Sequence, residues 1–181
     1  PIFLLGHSMG SFVGLEFARQ RGRQIQGLVL SGSNLPQPGL LKVARVIARI
    51  EAWRQGPRGK SAVLDKLSFG AFNDAFKPNR TDFDWLSREP LEVDNYIKDP
   101  LCGFLCSNQL WLDFLAGLIQ LGQTNALSAV PNALPVYLLA GSLDPVSAST
   151  NGVVKLAQAL RDAGGTLVKH KIYADGRHEM F

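Results

Sequence analysis

The chain has 181 residues, 46% apolar and 19% charged, with a formal net charge of +4. That balance fits one ordinary globular domain with a real core and excludes a disordered tail or a collagen-like repeat. No apolar run approaches the roughly 18 residues needed to cross a bilayer, so no transmembrane segment is expected, and Cys102 and Cys106 alone cannot build a disulfide scaffold.

The chain opens on the apolar Pro1-Ile2-Phe3-Leu4-Leu5, with no initiator Met, and stops at Phe181 directly after a charged turn. Both ends have the character of cuts, so the chain is expected to be the C-terminal portion of a longer one, with any targeting segment outside it. Residues 2–5 read as a short strand and residues 6–10 as a tight turn. From Met9 to about Gln20, Phe12, Val13, Phe17 and Ala18 recur at helical spacing, and Gly22 stops the pattern. Residues 25–30 read as a second buried strand. Strand, helix and strand in so short a span make a βαβ unit, which implies parallel strands.

Residues 35–130 carry helical patterns and no convincing strand, a stretch too long for a loop, so they are expected to form an inserted helical subdomain. Leu40, Val43, Ala44, Ile47 and Ile50 make one apolar stripe; Leu105, Leu110, Trp111, Phe114, Leu115, Leu118 and Ile119 make another. The α/β rhythm returns with a strand at 136–140, a loop at 141–150, a helix at 153–163 ended by Gly164-Gly165, and a last strand at 166–173. The expected division is therefore core at 1–34, helical cap at 35–130 and core again at 131–181.

Charge is uneven along this plan. Residues 19–60 hold nine Lys or Arg and one acid, Glu51, whereas residues 61–113 hold five basic and nine acidic side chains. With no zinc-finger spacing and no aromatic-plus-basic RNA motif, a nucleic-acid partner is not expected.

Gly6-His7-Ser8-Met9-Gly10 matches G-x-S-x-G. The bare pattern is weak, and an ordinary Gly-rich turn competes with it. Its placement, after a strand and opening a helix, is what a nucleophile elbow requires. The serine would sit on a sharp, strained turn where flanking side chains collide with backbone, and the helix N-terminus would bring free N–H groups to a developing oxyanion.

A nucleophilic serine needs a base, and the base an orienting acid. His7 neighbours the serine but is expected to point elsewhere from a tight elbow. His170 lies within the last strand. His178, in the turn beyond that strand, stands where α/β sites are assembled and is the expected base. For the acid, Asp144 lies just past the preceding strand. Asp162 sits on the back of a helix. Asp175, only three residues from His178, could touch the ring without bracing it from the adjacent strand. The order Ser8, Asp144, His178 is that of α/β-hydrolases.

The chain resembles the monoacylglycerol lipase and lysophospholipase branch of the α/β-hydrolases, also called serine aminopeptidase-like hydrolases. The resemblance rests on Gly6-His7-Ser8-Met9-Gly10-Ser11, Leu28-Val29-Leu30-Ser31-Gly32, residues 69–76, 80–88 and 93–104, Ala140-Gly141-Ser142-Leu143-Asp144-Pro145-Val146 and Gly176-Arg177-His178-Glu179. It covers nearly all of the chain, and the cap segments are more specific than the elbow. It implies Ser8 as nucleophile, Asp144 as acid, His178 as base, and the Met9 N–H as one oxyanion donor. The second donor would come from a His-Gly loop that these residues do not include, so the fragment alone is expected to be inactive. Residues 35–130 would be the cap over an acyl-binding site.

On a helical wheel Lys42, Arg45 and Arg49 fall opposite Leu40, Val43, Ala44 and Ile47, with Trp53 near the basic face. Peripheral contact with a lipid surface is one explanation; a solvated cap helix is the plainer one and is preferred. Cys102 and Cys106 lack zinc spacing, no dinucleotide or P-loop motif appears, and neither cofactor nor metal is expected. Asn79-Arg80-Thr81 fits a glycosylation sequon without a secretory context, and the expected location is cytoplasmic.

The expected activity is therefore a cofactor-free serine hydrolase cleaving carboxylic esters of acyl lipids. A thioesterase or small-residue aminopeptidase would use the same residues. A non-catalytic α/β-hydrolase-fold binding protein is the competing class, and it would usually lack one of the three residues.

Overall fold

The computed structural model describes residues 1–147 and 151–181. The last three residues of the predicted loop, 148–150, lie outside the described residues. The chain divides into two compact units, residues 1–35 with 121–181, and residues 36–120.

The first unit is a four-stranded parallel sheet in the order β1-β2-β3-β4, with β1 at Phe3–His7, β2 at Gly27–Ser31, β3 at Val136–Gly141 and β4 at Val168–Tyr173. Helix α1 (Met9–Arg21) joins β1 to β2, and helix α6 (Asn151–Asp162) lies between β3 and β4. On α6, Val153, Leu156, Ala157 and Leu160 are buried, the i, i+3, i+4, i+7 line of a helix laid on a sheet. They join Leu15, Ala18, Leu28, Leu30 and Leu138 in the core. Each such leucine, moved from water into this interior, contributes roughly 2 kcal/mol. Backbone polar groups outside the ladder are also met: Arg19 Nε donates to the Ala126 carbonyl at 2.8 Å, and the Asn132 carbonyl accepts from Thr166 N at 2.9 Å and Thr166 Oγ1 at 3.0 Å.

The strand at the chain start runs two residues beyond the predicted 2–5, because Gly6 and His7 pair in register with Leu30 and Ser31. Residues 121–130, assigned on sequence to the helical insertion, group with the sheet unit.

The second unit is helical: α2 (Pro38–Gln55), α3 (Ala62–Ser68), α4 (Pro90–Lys98) and most of α5 (Asn108–Leu121). Ala48, Leu64, Trp111 and Leu115 form its centre, with Leu41, Ala44 and Ile47 packed against them. Phe69 stacks on Trp85, with ring centroids 6.2 Å apart and planes 14° apart, and lies 5.6 Å from Trp111. The buried Glu51 carboxylate accepts from Ser61 Oγ at 2.6 Å and Gln55 Nε2 at 2.7 Å and pairs with Arg54. The same Ser61 oxygen accepts from Leu64 N at 3.2 Å, capping α3.

This inward face corrects the predicted stripe on α2. Leu40, Val43 and Ile50 are exposed; Ala44 and Ile47 of the predicted stripe do face inward, partly buried with Leu41, beside the buried Ala48 and Glu51. A wheel that counts only apolar residues cannot see that a fully hydrogen-bonded glutamate packs inside. The segment around Arg80 has a structural reason of its own: Asp84 accepts from Arg80 N, Thr81 N and Thr81 Oγ1, and Asn73 accepts from Trp85 N while donating to the Thr81 carbonyl.

Candidate active site

Ser8 stands between β1 and α1 with φ 53° and ψ −124°, a left-handed conformation that a side-chain-bearing residue adopts at a cost of about 1–3 kcal/mol. Its surroundings hold it there. The Ser8 N–H donates to the Ser31 carbonyl at 2.9 Å, and the Ser8 carbonyl accepts from Ser11 N at 2.9 Å and Ser11 Oγ at 2.6 Å. A Cβ on Gly6 would lie 2.3 Å from the Gly10 carbonyl oxygen, so only glycine permits the turn to close. Gly10 itself has no such constraint, since a Cβ there meets nothing within 4 Å beyond its own turn. Of the two glycines expected from the sequence to be sterically required, the turn requires Gly6. Met9 opens α1, and the first N–H groups of a helix have no carbonyl partner inside it.

The sheet brings two loops to the same edge. After β3, Asp144 is fully buried; after β4, His178 is 1% exposed. His178 Nδ1 lies 3.0 Å from Asp144 Oδ1, and that oxygen also accepts from Val146 N at 2.9 Å. The loops are sewn together by backbone: Ser142 N donates to the Tyr173 carbonyl at 2.8 Å and Leu143 N to the Gly176 carbonyl at 2.9 Å. A buried carboxylate on an imidazole Nδ1 selects the tautomer whose Nε2 is a proton acceptor and stabilises the imidazolium that forms when a proton arrives.

The other candidates go elsewhere. Asp175 is exposed at φ 55°, and its N–H donates to Ser142 Oγ at 2.9 Å. Asp162 ends α6 and accepts from Gln158. His170 is exposed on β4, with Arg161 Nη2 3.4 Å from its Nδ1.

His7 differs from expectation. Its ring does not point away; the centroids of His7 and His178 are 4.7 Å apart, with the planes tilted 43°. Burial first, then the neighbouring His178, lower the His7 pKa from 6.5 to about 4, against the opposing pull of Asp144. The overlooked signal was strand alternation. Once β1 runs to residue 7, His7 shares a strand side with Phe3 and Leu5 and opposes Ser31.

Among the described residues, no helix is long and apolar enough to cross a membrane, and no group of three His, Cys, Asp or Glu side chains could hold a metal ion.

Comparison with known proteins bears on this arrangement. Human monoglyceride lipase is 32% identical over 184 residues, which cover 98% of this chain and 51% of that protein. A thermostable carboxyl esterase from Bacillus coagulans, solved with glycerol, superposes with a TM-score of 0.88 at 26% identity, over 99% of this chain and 58% of that one. A lipase in an open form superposes at 0.82 with 26% identity, over 98% of this chain and 57% of that one. The chain spans about half the length of the curated relatives it matches. The family model described as serine aminopeptidase, S33, matches residues 1–181. A match along the whole chain makes this protein a member of the serine aminopeptidase S33 family, and its fold is that of the α/β-hydrolases.

Proposed function

We propose that the chain carries the nucleophile, base and acid of a serine hydrolase acting on carboxylic esters of acyl lipids, of monoacylglycerol or lysophospholipid type. The observation that carries the proposal is the buried Asp144–His178 hydrogen bond of 3.0 Å, formed between loops at the sheet edge. The left-handed Ser8 at the end of β1, in the same parallel sheet, supports it, as do the ester-cleaving names of the relatives.

In the proposed reaction His178 takes the Ser8 hydroxyl proton as Oγ attacks the ester carbonyl. The Met9 N–H stabilises the oxyanion. Collapse of the tetrahedral intermediate expels the alcohol, which receives the proton from His178, and leaves an acyl-serine. Water then gives a proton to the same imidazole as its oxygen attacks the acyl carbonyl; collapse breaks the bond to Ser8 Oγ, which takes the proton back from His178, and the fatty acid leaves. Asp144 keeps the tautomer and offsets the imidazolium charge throughout. The second oxyanion donor is proposed to lie outside these residues, leaving the 181-residue chain by itself inactive.

A lipid substrate brings a lipid surface with it, and α2 is the proposed point of contact. It exposes Leu40, Val43, Val46, Ile50 and Trp53 together with Lys42 and Arg49. The proposed setting is cytoplasmic, where the two free cysteines, Cys102 and Cys106, would stay reduced.

The test uses the natural full-length product and a fluorophosphonate probe with a p-nitrophenyl ester assay. Ser8→Ala should abolish labelling. Ser8→Ala and His178→Ala should each lower kcat by roughly four orders of magnitude, and Asp144→Asn by about that or somewhat less. Unchanged ester turnover in Ser8→Ala would remove the serine mechanism. Aminoacyl-anilide or thioester cleavage exceeding ester cleavage would replace the substrate class and keep the triad.

A further inference from the structure

Asp144 alone does not fix the base. One hydrogen bond to Nδ1 holds one atom of the His178 ring and leaves the plane free to swing about the Nδ1···Oδ1 line. Two neighbours close on the ring. Gly32, at φ +59°, presses so near that a Cβ there would lie 2.7 Å from His178 Cε1 and 2.9 Å from its Nδ1. The second neighbour is the His7 imidazole, at 4.7 Å and 43°.

His7 is itself held. Its Nδ1 lies 3.1 Å from the hydroxyl oxygen of Ser31, its register partner on β2. A Cβ on Gly32 would come within 3.4 Å of His7 Cε1, and Phe181 lies edge-on to the ring at 6.4 Å and 85°. With its pKa at about 4, the ring is uncharged at neutral pH, so Ser31 can donate to Nδ1. An uncharged ring also spares a neighbouring imidazolium a second positive charge within a few ångströms.

We propose that His7 is a positioning residue for His178, a planar wall pinned to Ser31 that fixes the tilt of the base's imidazole. This rests on the assignment of His178 as the base. It gives the second residue of the elbow motif a task apart from the turn: the strand that delivers the nucleophile also delivers the wall for its base.

The test compares His7→Ala, His7→Phe and Ser31→Ala in the natural full-length product, by ester kinetics, fluorophosphonate labelling and thermal melting. His7→Phe keeps a ring and loses the pin; Ser31→Ala removes the pin alone; His7→Ala removes the wall. His7→Ala should lose about tenfold or more in kcat with KM within about twofold of wild type, since misplacement of a reacting group by a fraction of an ångström falls on the chemical step. His7→Phe and Ser31→Ala, which both keep a ring and lose the pin, should each stay within about threefold of wild type, well above His7→Ala.

A purely structural role would lower the melting temperature and leave the three variants unranked in kcat. Should His7→Ala fold poorly, His7→Phe decides: retained kcat supports the wall, and loss to the Ala level overturns it. Unchanged kcat in His7→Ala, or a loss confined to KM, overturns it as well. Wild-type protein that refuses the probe defeats the hydrolase assignment and this inference with it; labelled wild type with an indifferent His7→Ala defeats this inference alone.

Discussion

Gly141 and Gly176 meet backbone to backbone: a Cβ built on Gly141 would lie 2.1 Å from the Gly176 carbonyl oxygen and 2.3 Å from that of Arg177. This contact joins the loop of Asp144 to the turn of His178. Gly141→Ala must push the two apart, because the obstacle is backbone on both sides. The expected cost is about 2 kcal/mol of stability, as for other overpacked sites, with a fall in kcat on the order of a hundredfold from the displaced pair. Gly10→Ala is the internal control, since its Cβ meets nothing and a helical Ala exceeds Gly by roughly 0.5–1 kcal/mol. Urea unfolding of both variants checks the contrast, and equal stabilities would count against the steric account.

His7 also makes a prediction about acid stability. In the unfolded chain it takes a proton below about pH 6.5, and in the fold only below about pH 4. Between those values the unfolded state holds more protons, so this group's contribution is complete above about pH 6.5 and is lost as pH falls toward 4. Because solvent reaches part of the ring, the expected loss is about 1–2 kcal/mol. His178 and Asp144 face the same ring, so the informative quantity is the difference between wild type and His7→Phe. Urea midpoints at pH 4.5 and 7.5 should differ less in the variant than in wild type. An identical acid loss in both proteins would exclude His7 as its source.

The sheet was legible because its strands are short apolar runs with clear punctuation. Residues 136–140 sit between Pro135 and Gly141, and the observed β3 differs by one residue. The meeting of Asp144 with His178 was legible by position, each lying just past a strand that the pattern had already marked. Two things were not. The face that α2 buries depends on Glu51, whose partner Ser61 is ten residues away and caps the next helix, so no periodicity announces it. The place of His7 depends on where β1 stops. Ending the strand at residue 5 makes His7 part of a turn; extending it to residue 7 pairs His7 with Ser31 and fixes which way its side chain goes.

The exposed side of α2 predicts selective membrane binding. Trp53 is 86% exposed and Leu40 71%, an unusual pairing on one surface helix unless something apolar covers it. Lys42 and Arg49 flank these residues, so anionic lipid is favoured over zwitterionic. The protein should sediment with phosphatidylserine-containing vesicles, with a blue shift in tryptophan emission that Trp53→Ala removes. Lys42→Ala and Arg49→Ala should each weaken binding roughly fivefold, the equivalent of about 1 kcal/mol per basic residue. Equal affinity for neutral vesicles, or none for either kind, would leave α2 as a solvated helix.

Substrate preference is the most direct consequence of the proposed function. Each methylene moved from water into an apolar site contributes about 0.8 kcal/mol. Octanoyl exceeds acetyl by about six methylenes, and even a third of them buried gives about 1.6 kcal/mol, roughly fifteenfold in kcat/KM. In the natural full-length product, kcat/KM for p-nitrophenyl esters should therefore climb from acetyl to octanoyl. The gain should fall mostly in KM if the tail binds alike in ground and transition states, and in kcat if its binding serves to orient the carbonyl. A profile that declines steadily beyond acetyl, or hydrolysis of aminoacyl anilides faster than of any ester, would reject the lipid ester and leave the same three residues serving another acyl transfer.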